Sequence, residues 1–344
     1  MTGLSAALIV TGCAGGQDSE TPGSIETSLL PPAEGHVEYP LALASPYGET
    51  MLEERPQRIA AIVPNALDTE LLLSLGVTPV LSSSMVNESA SGSYLKSYDA
   101  ASIETFEFPM GATLPIEAIA ASDPDLIVAV GWQSGNGSTD LGDSFDKLAS
   151  IAPVLTSPEQ PEGRFLTPWQ ESIQILGDTL DLSDAAATVI ADNDAYFAAF
   201  RDNHPEFNGK TATWAIWYDS SYGLHYLSQP DSAPEEFLTG LGFAKNPLAE
   251  NFAAGTAVSG ELLAKIDADV LLLGQSRVAD EAEFTEFTNG ALFQNLDAVT
   301  SGNWIAVPSV LDDGGDILWA VTSGGPIGTE WAAEQLAPRL LGMR

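Results

Sequence analysis

The sequence is poor in positive charge, cysteine, histidine and long apolar runs, and each shortage excludes a class of function. Only 12 of 344 residues are Lys or Arg against 48 Asp or Glu, a net charge of −36. Polyanions are held by clustered Lys and Arg, so nucleic acid and anionic membrane surfaces are excluded as partners. A single cysteine, Cys13, rules out an internal disulfide. His36, His204 and His225 are scattered, and no carboxylate–His pair stands at ligand spacing, so no metal site is expected. No apolar run nears the roughly 20 residues that span a bilayer. The chain has no G-x-S-x-G elbow, phosphate loop, H-E-x-x-H or G-x-G-x-x-G, and Ser134 in G-W-Q-S-G lacks the elbow spacing. Neither an enzyme nor an intrinsic cofactor is therefore expected.

What the chain does contain is one passage in two copies. Residues 114–131 read L-P-I-E-A-I-A-A-S-D-P-D-L-I-V-A-V-G, and residues 258–274 read V-S-G-E-L-L-A-K-I-D-A-D-V-L-L-L-G. Each sets a Glu (Glu117, Glu261) ahead of an Asp (Asp123, Asp267), a second Asp (Asp125, Asp269) and a short apolar run ending in Gly. The pattern predicts a short helix, a tight acidic turn and a buried strand in both places. Two like lobes follow, with a ligand cleft between them.

Residues 14–36, rich in Gly, Ser, Thr, Pro and Glu, predict a flexible tether, with order beginning at Val37. Short strands alternate with helices over 37–182 and again over 205–344, which predicts two Rossmann-like α/β lobes with largely parallel sheets. The first lobe includes strands at 58–64 and 78–82 and the helix 66–75 closed by Gly76. Between the lobes, residues 183–204 contain no Gly or Pro, with Ser183 as the expected N-cap and Pro205 as the stop. A helix of this length spans about 30 Å and predicts a stiff single connection.

Residues 4–10, L-S-A-A-L-I-V, run into Thr11, Gly12 and Cys13, and resemble a bacterial lipoprotein signal over 1–13. The resemblance implies a lipid on Cys13 as the sole membrane contact and an extracytoplasmic location. The basic residues that usually precede such a run are missing, so the natural start is expected further upstream.

Taken in order, R-P-Q-R-I-A-A-I-V-P-N-A-L-D-T-E-L-L-L-S-L-G-V-T-P-V (55–80), P-I-E-A-I-A-A-S-D-P-D-L-I-V-A (115–129), F-D-K-L-A-S-I-A-P-V (145–154), G-E-L-L-A-K-I-D-A-D-V-L-L-L (260–273) and S-G-G-P-I-G-T-E-W-A-A-E-Q-L-A-P-R-L (323–340) carry a family resemblance. The chain resembles the substrate-binding lipoproteins of iron–siderophore ABC importers, periplasmic binding proteins of the class with two lobes on one rigid helix. That resemblance implies a monomer that captures a ferric siderophore and delivers it to a permease dimer, with Glu117 and Glu261 docking on permease arginines. The alternative for these two Glu residues is an ordinary solvated carboxylate near a helix start. The same fold also serves cobalamin and haem, so those chelates stay open, as does a surface enzyme.

Ligands of open α/β sheets sit at strand C-terminal ends. Residues at those ends are Asn65, Trp132, Gln133, Trp217, Tyr218, Tyr222, Arg277 and Trp319. Aromatics supply apolar contact with few torsions to freeze, and Arg277 is the candidate anion contact, with Arg164 second. Each aromatic has core packing as its alternative, and Arg277 a plain surface role. Highly anionic ferric catecholates call for several cations, so a hydroxamate or mixed chelate is favoured.

Overall fold

In this computed structural model, residues 29–343 are described except 66, 87–92, 99, 108–112, 133–139, 160–166, 254, 309 and 313. A hairpin comes first, β1 (Leu41–Ser45) against β2 (Gly48–Leu52). Then β3 (Ile59–Ala61), β4 (Leu81–Ser83), β5 (Glu104–Phe106), β6 (Leu126–Ala129) and β7 (Val154–Thr156) form a sheet in the order β5-β4-β3-β6-β7, parallel throughout. Every residue of β3, β6 and β7 is buried, as a sheet covered on both faces requires. The second sheet contains β8 (Ala212–Trp217), β9 (Leu224–Tyr226), β10 (Val270–Gln275) and β11 (Trp304–Val307) in the order β11-β10-β8-β9, with β9 an antiparallel edge.

Several predicted boundaries move. The strand expected over 78–82 forms at 81–83, because Thr78 N–H donates to the Leu29 carbonyl outside the sheet. The second copy of the repeated passage makes a single 3-10 turn, Leu263–Ile266, where the first makes the α-helix Ile116–Ala121. Asp123 enters the left-handed region (φ 48°), whereas Asp267 is extended and its carboxylate accepts the N–H groups of Asp297 and Ala298. The second acids match. Asp125 accepts from Arg58 N–H at 2.9 Å just before β3, and Asp269 from Thr211 N–H at 2.7 Å just before β8.

The connecting helix runs Ser183–Asn203. Its N-cap is Leu182, not the expected Ser183, whose hydroxyl donates to Asp178. Glu34 does the capping instead, accepting from Asp184 and Ala185 N–H at 2.7 and 2.9 Å. Residues 29–36, assigned to the tether by composition, thus pack on the first lobe, with Leu30 in its core and Arg55 donating to the Pro31 carbonyl. Asp181, left-handed at φ 58°, accepts from Gly35, His36 and Val37 N–H and fixes the segment's path.

One apolar cluster crosses between the lobes. Tyr94, Leu95 and Ile103 of the first lobe pack with Phe197 and Phe200 of the connecting helix and with Trp214, Phe237 and Leu336 of the second. The closing helix, Pro326–Leu341, contributes Trp331, whose ring lies 5.5 Å from that of Tyr94. No described helix is long and apolar enough to cross a membrane.

Candidate functional site

The C-terminal ends of β8 and β10 are joined, with Trp217 in register with Gln275 and Ser276 N–H donating to the Trp217 carbonyl at 2.9 Å. Arg277 follows, and its Nε donates to Asp316 Oδ2 at 2.9 Å. The other Asp316 oxygen accepts Trp319 N–H at 2.9 Å and caps the helix Ile317–Ser323. Trp217 stacks on Phe287 with centroids 4.4 Å apart. The Tyr218 ring stands edge-on to His225, and burial pushes its hydroxyl above the usual range, so it remains a neutral O–H. Tyr222 and Val278 project into solvent from the adjoining loops, each 68% exposed. The second lobe therefore carries Trp217 and Tyr218 at the end of β8, Tyr222 in the turn to β9 and Arg277 just after β10, with Trp319 on a helix whose cap, Asp316, also counters the Arg277 charge.

In the first lobe, Asn65 Oδ1 accepts Leu67 N–H and starts the helix Leu67–Ser74 right after β3. Trp132, at the end of β6, is buried with Ile62, Ile127 and Phe145, so its place is the lobe core more than an open wall. Gln133, Arg164 and Cys13 lie outside the described residues.

Two residues absent from the sequence-derived set support these walls. Asp68 and Glu70, on the Leu67–Ser74 helix, are both fully buried. Asp68 Oδ1 accepts Gly131 N–H at 2.9 Å, holding the turn that carries Trp132. Glu70 Oε1 accepts Gly328 N–H at 2.8 Å. Desolvation raises both carboxyls to about 7, against the pull of their backbone N–H bonds. The available signal was two acids inside the apolar run L-D-T-E-L-L-L.

Two other features stand apart from the strand ends. A groove of about 330 Å³ along the connecting helix is lined by Trp169, Asn193, Phe197, Arg201 and Glu236, and by none of the strand-end residues. Glu34, His36 and Asp184 bring three metal-capable side chains together, contrary to the expectation from spacing, since His36 and Asp184 are 148 positions apart. This cluster lies at a helix N-terminus, whose positive end disfavours a cation.

Among curated proteins nothing matches the chain. Solved structures do. A periplasmic solute binding protein from Mycobacterium smegmatis is 21% identical, with TM-score 0.68, 88% of this chain and 98% of the other covered. PiaA from Streptococcus pneumoniae, in complex with ferrichrome, is 22% identical, with TM-score 0.66 and coverages of 87% and 97%. SirA from Staphylococcus aureus, complexed with staphyloferrin B, is 20% identical, with TM-score 0.65 and coverages of 88% and 99%. These likenesses establish the two-lobed α/β fold. The periplasmic binding protein family model matches residues 63–311, most of the described chain, and the protein belongs to that family.

Proposed function

We propose that the protein captures a ferric siderophore between its lobes and hands it to an ABC permease dimer outside the cytoplasm. The observation that carries this reading is the strand-end set of the second lobe, where Trp217 and Tyr218 at the end of β8 adjoin the β10 end that leads to Arg277, an arginine whose charge Asp316 already balances. A polyanionic catecholate would need several uncompensated cations, whereas a near-neutral ferric hydroxamate or mixed chelate needs apolar contact and a few donors. The ferrichrome bound by PiaA, a structural relative, is in keeping with this choice. No chemistry is assigned, and the ligand leaves unchanged.

Delivery rests on Glu117 and Glu261, one in each lobe and both exposed. Glu117 lies in the first turn of Ile116–Ala121, and Glu261 in the turn before Leu263–Ile266. Two like acidic points suit a two-fold partner with two basic recesses. The protein acts as a monomer, and lipid on Cys13 would keep it at the membrane surface. The test is equilibrium titration of the purified protein with ferrichrome and with a ferric catecholate, read by tryptophan fluorescence. Saturable quenching by ferrichrome supports the reading, and quenching by the catecholate alone overturns the ligand class.

A further inference from the structure

Asp68 and Glu70 stand two positions apart on one helix and serve different lobes. Asp68 holds Gly131 within its own lobe. Glu70 reaches Gly328, 258 positions away, in the first turn of the closing helix. That helix has Gly325 at its N-cap and no side-chain cap from its own sequence. The backbone at Gly325 (φ −77°) would accept any residue. Space does not, because a Cβ there would collide with the Glu70 carboxylate. Thus Gly325 is a glycine so that a carboxylate from the other lobe can fill the cap position.

A buried carboxylate is costly without compensation. The ionisable groups around Glu70 are Tyr94 and Tyr98, Glu330 on the closing helix, and Asp316, which also acts on Tyr94. None of these is a cation, and Glu70 forms no ion pair among the described residues. The positive end of the 16-residue closing helix is what favours its charge.

We propose that Glu70 is a positioning residue that locks the second lobe onto the first. It fixes the start of the closing helix and, through the Gly324–Gly325 turn, the helix that carries Trp319 and Asp316. The inference rests on the reading of the strand ends as the ligand cleft. Because the carboxyl sits at about 7 when buried and has an ordinary value of 4.5, protonation favours the locked form, and the lock loosens as pH rises through 7.

Hydrogen exchange on the ligand-free protein tests the lock without any ligand. After correction for intrinsic rates, Glu70→Ala should lower protection of residues 317–323 and 326–329 about tenfold at pH 6, the loss of one buried hydrogen bond. Wild-type protection should rise between pH 8 and pH 6, whereas Glu70→Gln, which keeps an acceptor oxygen and carries no charge, stays flat. Asp68→Asn should leave residues 326–329 unchanged. A second arm uses space: Gly325→Ala should lower protection in wild type and not in a Glu70→Ala background, where the Cβ has room. Equal protection in wild type and Glu70→Ala at pH 6, or an equal effect of Gly325→Ala in both backgrounds, overturns the lock. Ferrichrome release should be faster from Glu70→Ala, and an unchanged rate despite lost protection overturns the link from lock to cleft. Failure of wild type to bind any ferric siderophore removes the ligand reading alone, since exchange still decides the lock.

Discussion

Arg277 and Asp316 form a one-sided buried pair: Nε meets Oδ2 at 2.9 Å, with the Arg side chain 39% exposed and the Asp 7%. The carboxylate is the committed partner, because its second oxygen also caps a helix through Trp319 N–H. Arg277→Ala should therefore cost about 1–3 kcal/mol of stability by leaving Asp316 short of a partner. Arg277→Ala with Asp316→Asn should recover most of that loss. Urea unfolding of the two singles and the double completes the cycle, and strict additivity would show that the pair is not coupled.

Asp68 and Glu70 make stability depend on pH in an uncommon direction. Their folded values of about 7 exceed the ordinary 3.8 and 4.5, so between those limits the folded state holds protons that the unfolded chain has lost. Stability contributed by these two groups is full below about 4 and is lost as pH rises through 7. Each shift corresponds to roughly 3–4 kcal/mol at most. The urea midpoint should fall from pH 5 to pH 8 more steeply in wild type than in Asp68→Asn/Glu70→Gln. Parallel pH profiles for the two proteins would contradict this.

Asp181 anchors the segment at 34–37 through three N–H bonds. Desolvation raises its carboxyl, but the bonds to His36, Gly35 and Val37, with the Arg55 charge, outweigh that and lower it overall. The anchor is therefore present above the ordinary carboxylate range and lost as pH falls through the lowered value. Asp181→Ala should expose residues 30–40 to limited proteolysis at neutral pH, with the rest of the domain intact. An unchanged cleavage pattern would show that Leu30 and Glu34 hold the segment unaided.

Much of this architecture was legible in the sequence, and the failures have identifiable causes. The repeated passage gave matched acids because turn chemistry is local: Asp125 and Asp269 each fasten the backbone entering a neighbouring strand. The closing helix and β11 fall where apolar spacing and Pro326 put them. The β1–β2 hairpin left little pattern, since only Leu43 and Leu52 are buried and Met51 faces solvent. Ile317–Ser323 is apolar on nearly every side and only seven residues long, so no period marks it as a helix. The capping role of Glu34, the charge balance at Arg277 and the burial of Glu70 all depend on partners distant in sequence. Spacing cannot reveal them. For Arg277 this changed the chemistry, because a side chain considered as an anion contact already has its anion.

Charge reversal at the two exposed acids separates delivery from capture. Glu117→Arg with Glu261→Arg should abolish siderophore uptake by cells while leaving ferrichrome affinity within about twofold, since exposed charges far from a site couple weakly through solvent. Each single variant should retain partial uptake. Normal uptake by the double variant would remove both residues from the docking surface.

The most direct measurement is equilibrium binding by tryptophan quenching, with ferrichrome, ferric citrate, a ferric catecholate, haem and cobalamin titrated separately into the full chain. Saturable one-to-one quenching by ferrichrome or another near-neutral ferric chelate is expected, reduced in Trp217→Phe and Trp319→Phe, with the ligand recovered intact on denaturation. Binding of haem or cobalamin with no response to any ferric siderophore would contradict the siderophore reading.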